Sequence, residues 1–469
     1  MLEGGTIAKL TSGDTRPTAV VCAVQLPGVT EGEMSSSLAE LERLAKTLGL
    51  DPIARVIQRR TKLASGVVLG EGKLKELATW TGGTGEVPAY QKPGARKKDE
   101  DGADADDDED DDEGADTTWP TEAPAQKAKV VLVDHDLSPT QQHNLELATG
   151  VDVLDRTSVI LEIFHRHAKT REARLQVEVA RLRYLAPRLR AGSTGGDRVR
   201  GGIGGKGAGE TSMELDRRRI RDRIAEIKDE LSRIEGGSKV RRERRSDLPT
   251  VALVGYTNAG KSSLMRALTS TDVYIADKLF ATLDTTIRRL VPPTEPPILV
   301  SDTVGFIKKL PHDLVASFRS TLDEAADCDL LLHVVDASDP AHADQLAVTR
   351  TVLSEIEADA APSWLLLNKI DRVDDAGRQA LADHYPNAIQ LSAKSPHDVA
   401  ALRDRLVEHF GGKIEEALLE VPWTQQRLVH AIHERATVLA EEHDETGTRI
   451  RVRAPANILA DLRAQLATV

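Results

Sequence analysis

The chain has 469 residues and 40% hydrophobic content, enough for packed cores and, by length, for about three domains. Its two cysteines, Cys22 and Cys328, exclude a disulfide framework and point to a reducing compartment, and no stretch is long and apolar enough to cross a bilayer. The formal charge of −13 is local rather than spread over the surface, because residues 99–116 hold 13 Asp or Glu and no Lys or Arg, which leaves the remainder balanced.

The N-terminus, Met1 to Thr6, has no basic segment leading into an apolar one, so the expectation is a soluble cytoplasmic protein with at most peripheral membrane association. Residues 18–26 (TAVVCAVQL) read as a strand, 35–48 as an amphipathic helix and 53–58 as a second strand. Gly70 to Lys73 opens a helix over 74–80, and this short glycine element is either a helix start or a phosphate contact. The acidic run lies in an insert at about 93–127 that cannot bury apolar surface and should be disordered, as a solubilising segment or a docking element for a basic partner. After it come strand 128–133, helix 139–148, strand 151–154 and helix 157–167. Strands alternating with helices predict a parallel α/β sheet for an N-terminal domain over 1–168.

Residues 169–246 carry a different period. Leu175, Val179, Leu182, Ala186 and Leu189 recur at offsets 0, 4, 7, 11 and 14, and so do Ile220, Ile224, Ile227, Leu231 and Ile234. Two matched narrow stripes predict an antiparallel helical hairpin, disturbed by Pro187 near the end of its first helix. The tip, residues 191–209 (AGSTGGDRVRGGIGGKGAG), is dense in glycine and carries Arg198, Arg200 and Lys206 against a single Asp197. Bare glycine backbone can approach phosphate and sugar, and the cations add sequence-independent attraction, so the expectation is contact with RNA; a flexible linker is the other reading.

The stretch Gly255, Tyr256, Thr257, Asn258, Ala259, Gly260, Lys261, Ser262, with Ser263 following, is a G-x-x-x-x-G-K-[ST] loop between the apolar run 250–254 and a helix-forming segment. Such a loop aims consecutive N–H groups and the positive helix end at a phosphate; Lys261 reaches the β and γ phosphates and the Ser262 hydroxyl holds Mg²⁺. Asp302, Thr303, Val304 and Gly305 follow another apolar strand as a D-x-x-G element: the carboxylate holds Mg²⁺ through water and the Gly305 amide meets the γ phosphate. Asn368, Lys369, Ile370 and Asp371 follow the run 364–367, and the Asp371 carboxylate can accept from both N1–H and the N2 amine of guanine. Adenine has an acceptor at N1 and no such amine. Ser392, Ala393 and Lys394, after 388–391, supply a backbone amide for guanine O6. Four elements in this order predict a Ras-like P-loop domain over 247–412 that binds GTP and GDP.

Beyond Gly411 and Gly412, strands at 417–421 and 448–452 and helices at 424–437 and 456–466 predict a small α+β domain over 413–469 without a chemical motif.

These segments together resemble the HflX family of GTPases, on residues 201–224 (GGIGGKGAGETSMELDRRRIRDRI), 154–185, 280–290 (FATLDTTIRRL) and 302–311 (DTVGFIKKLP). The resemblance covers most of the chain and leaves out the acidic insert. It implies a ribosome-associated GTPase that binds the 50S subunit and the 70S ribosome and, when GTP-bound, helps split stalled or idle particles after stress, with the hairpin tip reaching 23S rRNA near the peptidyl transferase centre. It also places the first switch at Phe280, Ala281, Thr282, Leu283 and Asp284, with Thr282 as a second hydroxyl ligand of Mg²⁺. Phe306 stands where many GTPases have a Gln that orients the attacking water, so intrinsic hydrolysis should be slow and the catalytic residue is unassigned. Related GTPases without that Gln use an Asn at the position of Asn258 to help hold K⁺. A ribosome-assembly or RNA-modification GTPase, and a binding module with a structural nucleotide, stay open as alternatives.

Overall fold

The computed structural model describes residues 16–87, 126–189, 212–243, 248–270, 279–280, 286–294, 296–309, 325–358, 360–411, 414–443 and 447–467. The acidic run 99–116, the hairpin tip 191–209 with Arg198, Arg200 and Lys206, and the switch residues Ala281, Thr282, Leu283 and Asp284 lie outside them.

The N-terminal domain is built on four parallel strands in the order β2-β1-β3-β4, with β1 Thr18–Gln25, β2 Asp51–Arg59, β3 Val130–Val133 and β4 Asp152–Asp155. β1 is apolar on both faces because both are covered, as parallel sheets require. Its period of two sends Ala19, Val21 and Ala23 into one core and Val20, Cys22 and Val24 into the other. Helices α1 Glu31–Leu48, α4 Arg156–His167 and α5 Arg171–Leu185 close the first core; α2 Glu71–Thr81 and α3 Pro139–Thr149 close the second. α1 starts four residues earlier than its apolar pattern predicts, because Thr30 and Glu33 form a capping box that satisfies the first-turn amides. Gly70 caps α2 without a side-chain bond, and its amide donates to Gln58 Oε1 at 2.7 Å. That is a helix start.

The hairpin forms as its stripes predict. α5 ends at Leu185, a 3₁₀ turn carries Pro187, and α6 Ser212–Glu243 returns. Leu175, Val179, Leu182, Ile220 and Ile227 meet in one buried seam. Arg171 pairs with Glu230 and, further along α5, Glu178 pairs with Arg223, so the second partner moves down the chain as the first moves up. The helices are antiparallel.

The third unit is a six-stranded sheet in the order β10-β9-β8-β5-β7-β6, comprising β5 Thr250–Gly255, β6 Thr286–Arg289, β7 Leu299–Asp302, β8 Leu330–Asp336, β9 Ser363–Asn368 and β10 Ile389–Gln390. Only the β6/β7 pairing is antiparallel. Helices α7 Lys261–Thr269 and α10 Pro396–Gly411 pack on one face, with α8 His342–Glu355 on the other and α9 Asp375–His384 beside β9. The C-terminal unit is an antiparallel sheet of β11 Ile414–Pro422, β13 Gly447–Pro455 and β12 Thr437–His443, with β13 central and α11 Arg427–Arg435 and α12 Ala456–Ala467 over its core. The helix expected to run to residue 437 stops at Arg435, and β12 occupies a segment the sequence pattern leaves unassigned. Glu441, Glu442 and His443, the last three of the seven residues of β12, are exposed, so its apolar run is only Val438 to Ala440, and pairing with β13 decides its conformation.

Candidate nucleotide site

The strand ends of β5, β7, β8 and β9 bring the predicted elements to one edge of the sheet. At Gly260 the backbone is left-handed with φ +97, and a Cβ there would sit 2.3 Å from the Asn368 side-chain nitrogen, so only glycine fits. Asn368 Nδ2 donates to Ala259 O at 2.8 Å, which ties the segment expected to read guanine to the phosphate loop.

Lys261 is the first residue of α7, and its ammonium donates to Gly255 O at 2.9 Å and Tyr256 O at 3.0 Å. Two of its three hydrogens are thereby placed, which leaves the third for a ligand oxygen such as that of a phosphate. Burial pushes Lys261 down to about 8, with Asp302 acting in the opposite direction, so it keeps its charge at pH 7. A phosphate would restore the solvation that burial removes. The Thr257 hydroxyl is buried without a hydrogen-bond partner, an orphan that a ligand oxygen would satisfy. Gly305 is pressed so close that a Cβ would lie 2.8 Å from Thr257 Cγ2 and 3.0 Å from Lys261 Nζ, which brings its backbone to the loop.

Ser262 Oγ donates to Asp302 Oδ2 at 2.7 Å, so the two described metal-ligand candidates meet at the mouth of the loop. A hydroxyl and a carboxylate form a hard oxygen donor set that fits Mg²⁺, the metal a GTPase domain implies. Thr303 fastens β7 to β5 by donating to Leu253 O at 2.7 Å.

On the guanine side, Ser392 Oγ donates to Asp371 Oδ1 at 2.6 Å, and this bond first of all holds the Asp371 carboxyl below its ordinary value. Asp371 is therefore ionised, and its other oxygen is left as an acceptor, as the sequence expectation of a guanine contact requires. Ala393 N donates to Asn368 Oδ1 at 3.0 Å, and Lys394 N to Ser392 Oγ at 3.3 Å. Reading O6 thus requires one of these amides to be shared. Lys369, left-handed at φ +61, spans Asn258 O and Asp336 Oδ2, both at 2.6 Å. Asp336 escaped the sequence reading, although a carboxylate closing the apolar strand 330–335 was a visible signal.

Some of the assigned residues bury their side chains in neighbouring cores. The Phe280 ring is 2% exposed and meets Phe164 of α4 edge-on, with centroids 4.6 Å apart, in a cluster that also holds Tyr256. Burying an aromatic ring in the neighbouring core outweighs any contact it makes at a polar site. Val304 packs in that same core, and the Ile370 side chain lies in a cluster with Val335 and Leu381, so each has only its backbone left for a ligand. Tyr256 contributes its carbonyl to Lys261 but turns its side chain away. Ser263 is half-buried in the first turn of α7. Phe306 is 2% exposed and packs with Ala252, Val254, Ala325, Cys328 and Leu331, pointing away from the loop, as a residue unable to orient water would.

With this geometry in view, the family model described as GTP-binding GTPase N-terminal matches residues 35–86 and 120–165, GTP-binding GTPase Middle Region matches 167–245, and 50S ribosome-binding GTPase matches 250–369. A relative named GTPase HflX from Gluconacetobacter diazotrophicus is 55% identical over 454 residues, covering 96% of this chain and 98% of its own. The chain belongs to the HflX family of GTPases. The GTPase HflX of Escherichia coli is 44% identical over 336 residues, 71% of this chain and 79% of that one. A solved structure of a GTP-binding protein from Sulfolobus solfataricus in complex with GDP has 21% identity and a TM-score of 0.41, over 84% of this chain and 98% of its own. As a member of the HflX family the chain is a GTP hydrolase. Among the described residues, no helix is long and apolar enough to cross a membrane.

Proposed function

We propose that this HflX GTPase engages the 50S subunit and the 70S ribosome in the cytoplasm and uses GTP binding and hydrolysis to split or rescue particles under stress. The observation that carries the reading is the zipped hairpin. Its antiparallel helices bring Leu189 and Ser212, the described residues on either side of the segment bearing Arg198, Arg200 and Lys206, to the same end of the pair. The family model over 250–369 is described as ribosome-binding, and the family is shared along nearly the whole chain. Mg²⁺, held by Ser262, Thr282 and, through water, Asp302, would neutralise charge between the β and γ phosphates. The Asn258 carbonyl accepts from Lys369 while its side chain is exposed, which leaves the amide for K⁺.

Sucrose-gradient profiles of 70S particles with the protein and a non-hydrolysable GTP analogue should show subunits; unchanged 70S peaks would reject splitting. Replacing Arg198, Arg200 and Lys206 with Ala should lower the slope of log K against log salt by roughly two units, at about 0.7 per phosphate contact. GTP affinity should stay the same. Full ribosome affinity and full stimulation of hydrolysis in that variant would return the tip to the status of a linker.

A further inference from the structure

Phosphate and metal chemistry dictate Gly255, Gly260, Lys261 and Ser262, yet nothing in that chemistry requires a tyrosine at 256. The Tyr256 ring is only 5% exposed and its hydroxyl leaves the nucleotide edge for the N-terminal domain. There it donates to Glu40 Oε1 of α1 and accepts from the Lys308 backbone amide at 2.7 Å. The Lys308 carbonyl accepts from Arg156 Nη2 at 3.0 Å, and Arg156 in turn binds Glu40. Both backbone groups of Lys308 are therefore tied, directly or through Tyr256, to a buried charge pair of another domain. Burial pushes the Tyr256 hydroxyl well above its ordinary value, Glu40 adding to it, so it stays a donor at any working pH.

Lys308 is three residues past Gly305 and belongs to the segment expected to face the γ phosphate. Phe306 is bound on both sides, its amide donating to Gly255 O at 3.1 Å and its carbonyl accepting from Thr257 N at 2.7 Å. Ile307 is buried in the N-terminal core. With the Phe306 ring turned into the opposite core, what this segment offers to the reaction is backbone. A backbone group is aimed only by whatever holds its segment. We propose that Tyr256, with Glu40 as the acceptor that fixes its hydroxyl, is a positioning residue for GTP hydrolysis, aiming the backbone of residues 305–308 from the N-terminal domain. This rests on the hydrolase activity and not on the ribosome reading.

The test uses the full chain, single-turnover hydrolysis at saturating GTP, and titration with a fluorescent GDP to count binding-competent protein. Tyr256→Phe keeps the ring and removes the hydroxyl; small misplacements of this kind cost up to about 100-fold, and a loss of at least about 10-fold in kcat is expected with KM and GDP affinity within about twofold. Glu40→Gln keeps an acceptor for the hydroxyl and should lose less. Because the two residues act as one device, the double variant should be no slower than Tyr256→Phe. Hydrolysis within about twofold of wild type, losses that multiply in the double variant, or a fall in GDP affinity that matches the fall in kcat would each overturn the proposal. If Tyr256→Phe does not fold, Glu40→Gln decides by the same kcat and GDP readings, and loss of GDP binding in both variants assigns the pair to folding alone.

Discussion

Replacing Arg156 with Met removes the cation at the centre of the domain interface. The guanidinium is 1% exposed and is bonded to Glu40 and to Asp134 Oδ1, the latter at 2.7 Å, while Glu40 and Asp134 are themselves 3% and 0% exposed. Lys309 remains near Asp134 at 2.8 Å but is half exposed, so it balances that carboxylate only in part. Leaving the buried carboxylates without their shared cation should cost about 3–5 kcal/mol. Protonation sets a ceiling: bringing a carboxyl of ordinary value 3.8 to its neutral form at pH 7 costs about 4 kcal/mol, at about 1.36 per unit. The two figures agree, and the ceiling makes the damage depend on pH. Burial alone would raise Asp134, but Arg156 and Lys309 outweigh it and hold the group below its ordinary value. In wild type that stabilisation is complete above pH 3.8 and lost only as pH falls through the lower folded value, so the cluster gives no slope between pH 7 and 5. In the variant, stability should recover over that range, with the ceiling falling below about 2 kcal/mol at pH 5. Cys22 offers the readout, since it is buried in β1 and burial pushes its thiol up to about 12, so a pyridyl disulfide reacts with it only when the N-terminal domain opens. Urea titrations of Cys22 labelling at pH 7 and 5 measure the difference, and adding Asp134→Asn should restore at least half of it. A loss under about 1 kcal/mol at pH 7, or one that does not shrink at pH 5, would refute the reasoning.

Asp371→Asn turns a carboxylate oxygen into a donor facing guanine's own donors, so competition titrations should show GTP affinity falling and preference moving toward xanthosine triphosphate; comparable wild-type affinity for ATP and GTP would defeat the assignment. Hydrolysis should be faster in KCl than in NaCl, and Asn258→Ala should abolish the difference; equal rates in wild type dismiss K⁺. His333 is 7% exposed in the central strand β8, and burial, with Arg350 adding to it, pushes it down to about 4. The unfolded chain takes up a proton near 6.5 that the folded one refuses, so stability is complete above that value and falls as pH drops toward 4, by up to about 1.4 kcal/mol per unit. His333→Leu should flatten this slope as read by Cys328 labelling in urea, and an unchanged slope would assign it to other groups.

The sequence by itself determined whatever is local along the chain. The phosphate loop, the D-x-x-G and N-K-x-D elements and the Ser392 turn are short because each binds one part of a nucleotide with neighbouring backbone, and the strands before them are apolar because both faces are covered. The hairpin was legible for a similar reason: a two-helix seam needs one stripe, and a stripe is a spacing. β12 was not legible, since an edge strand whose outer residues are Glu and His shows its pairing only when β13 lies beside it. Only the tertiary structure decided what Tyr256, Phe280 and Val304 do. In sequence they read as parts of a nucleotide site, while folding buries their side chains against α1 and α4, where Glu40, Asp134 and Arg156 arrive from three separate elements. Each of those charges taken alone is an ordinary surface residue by composition. Burial is a property of the assembled domains, and burial is what turns three distant charges and a tyrosine into a joint between the N-terminal domain and the segments that face GTP.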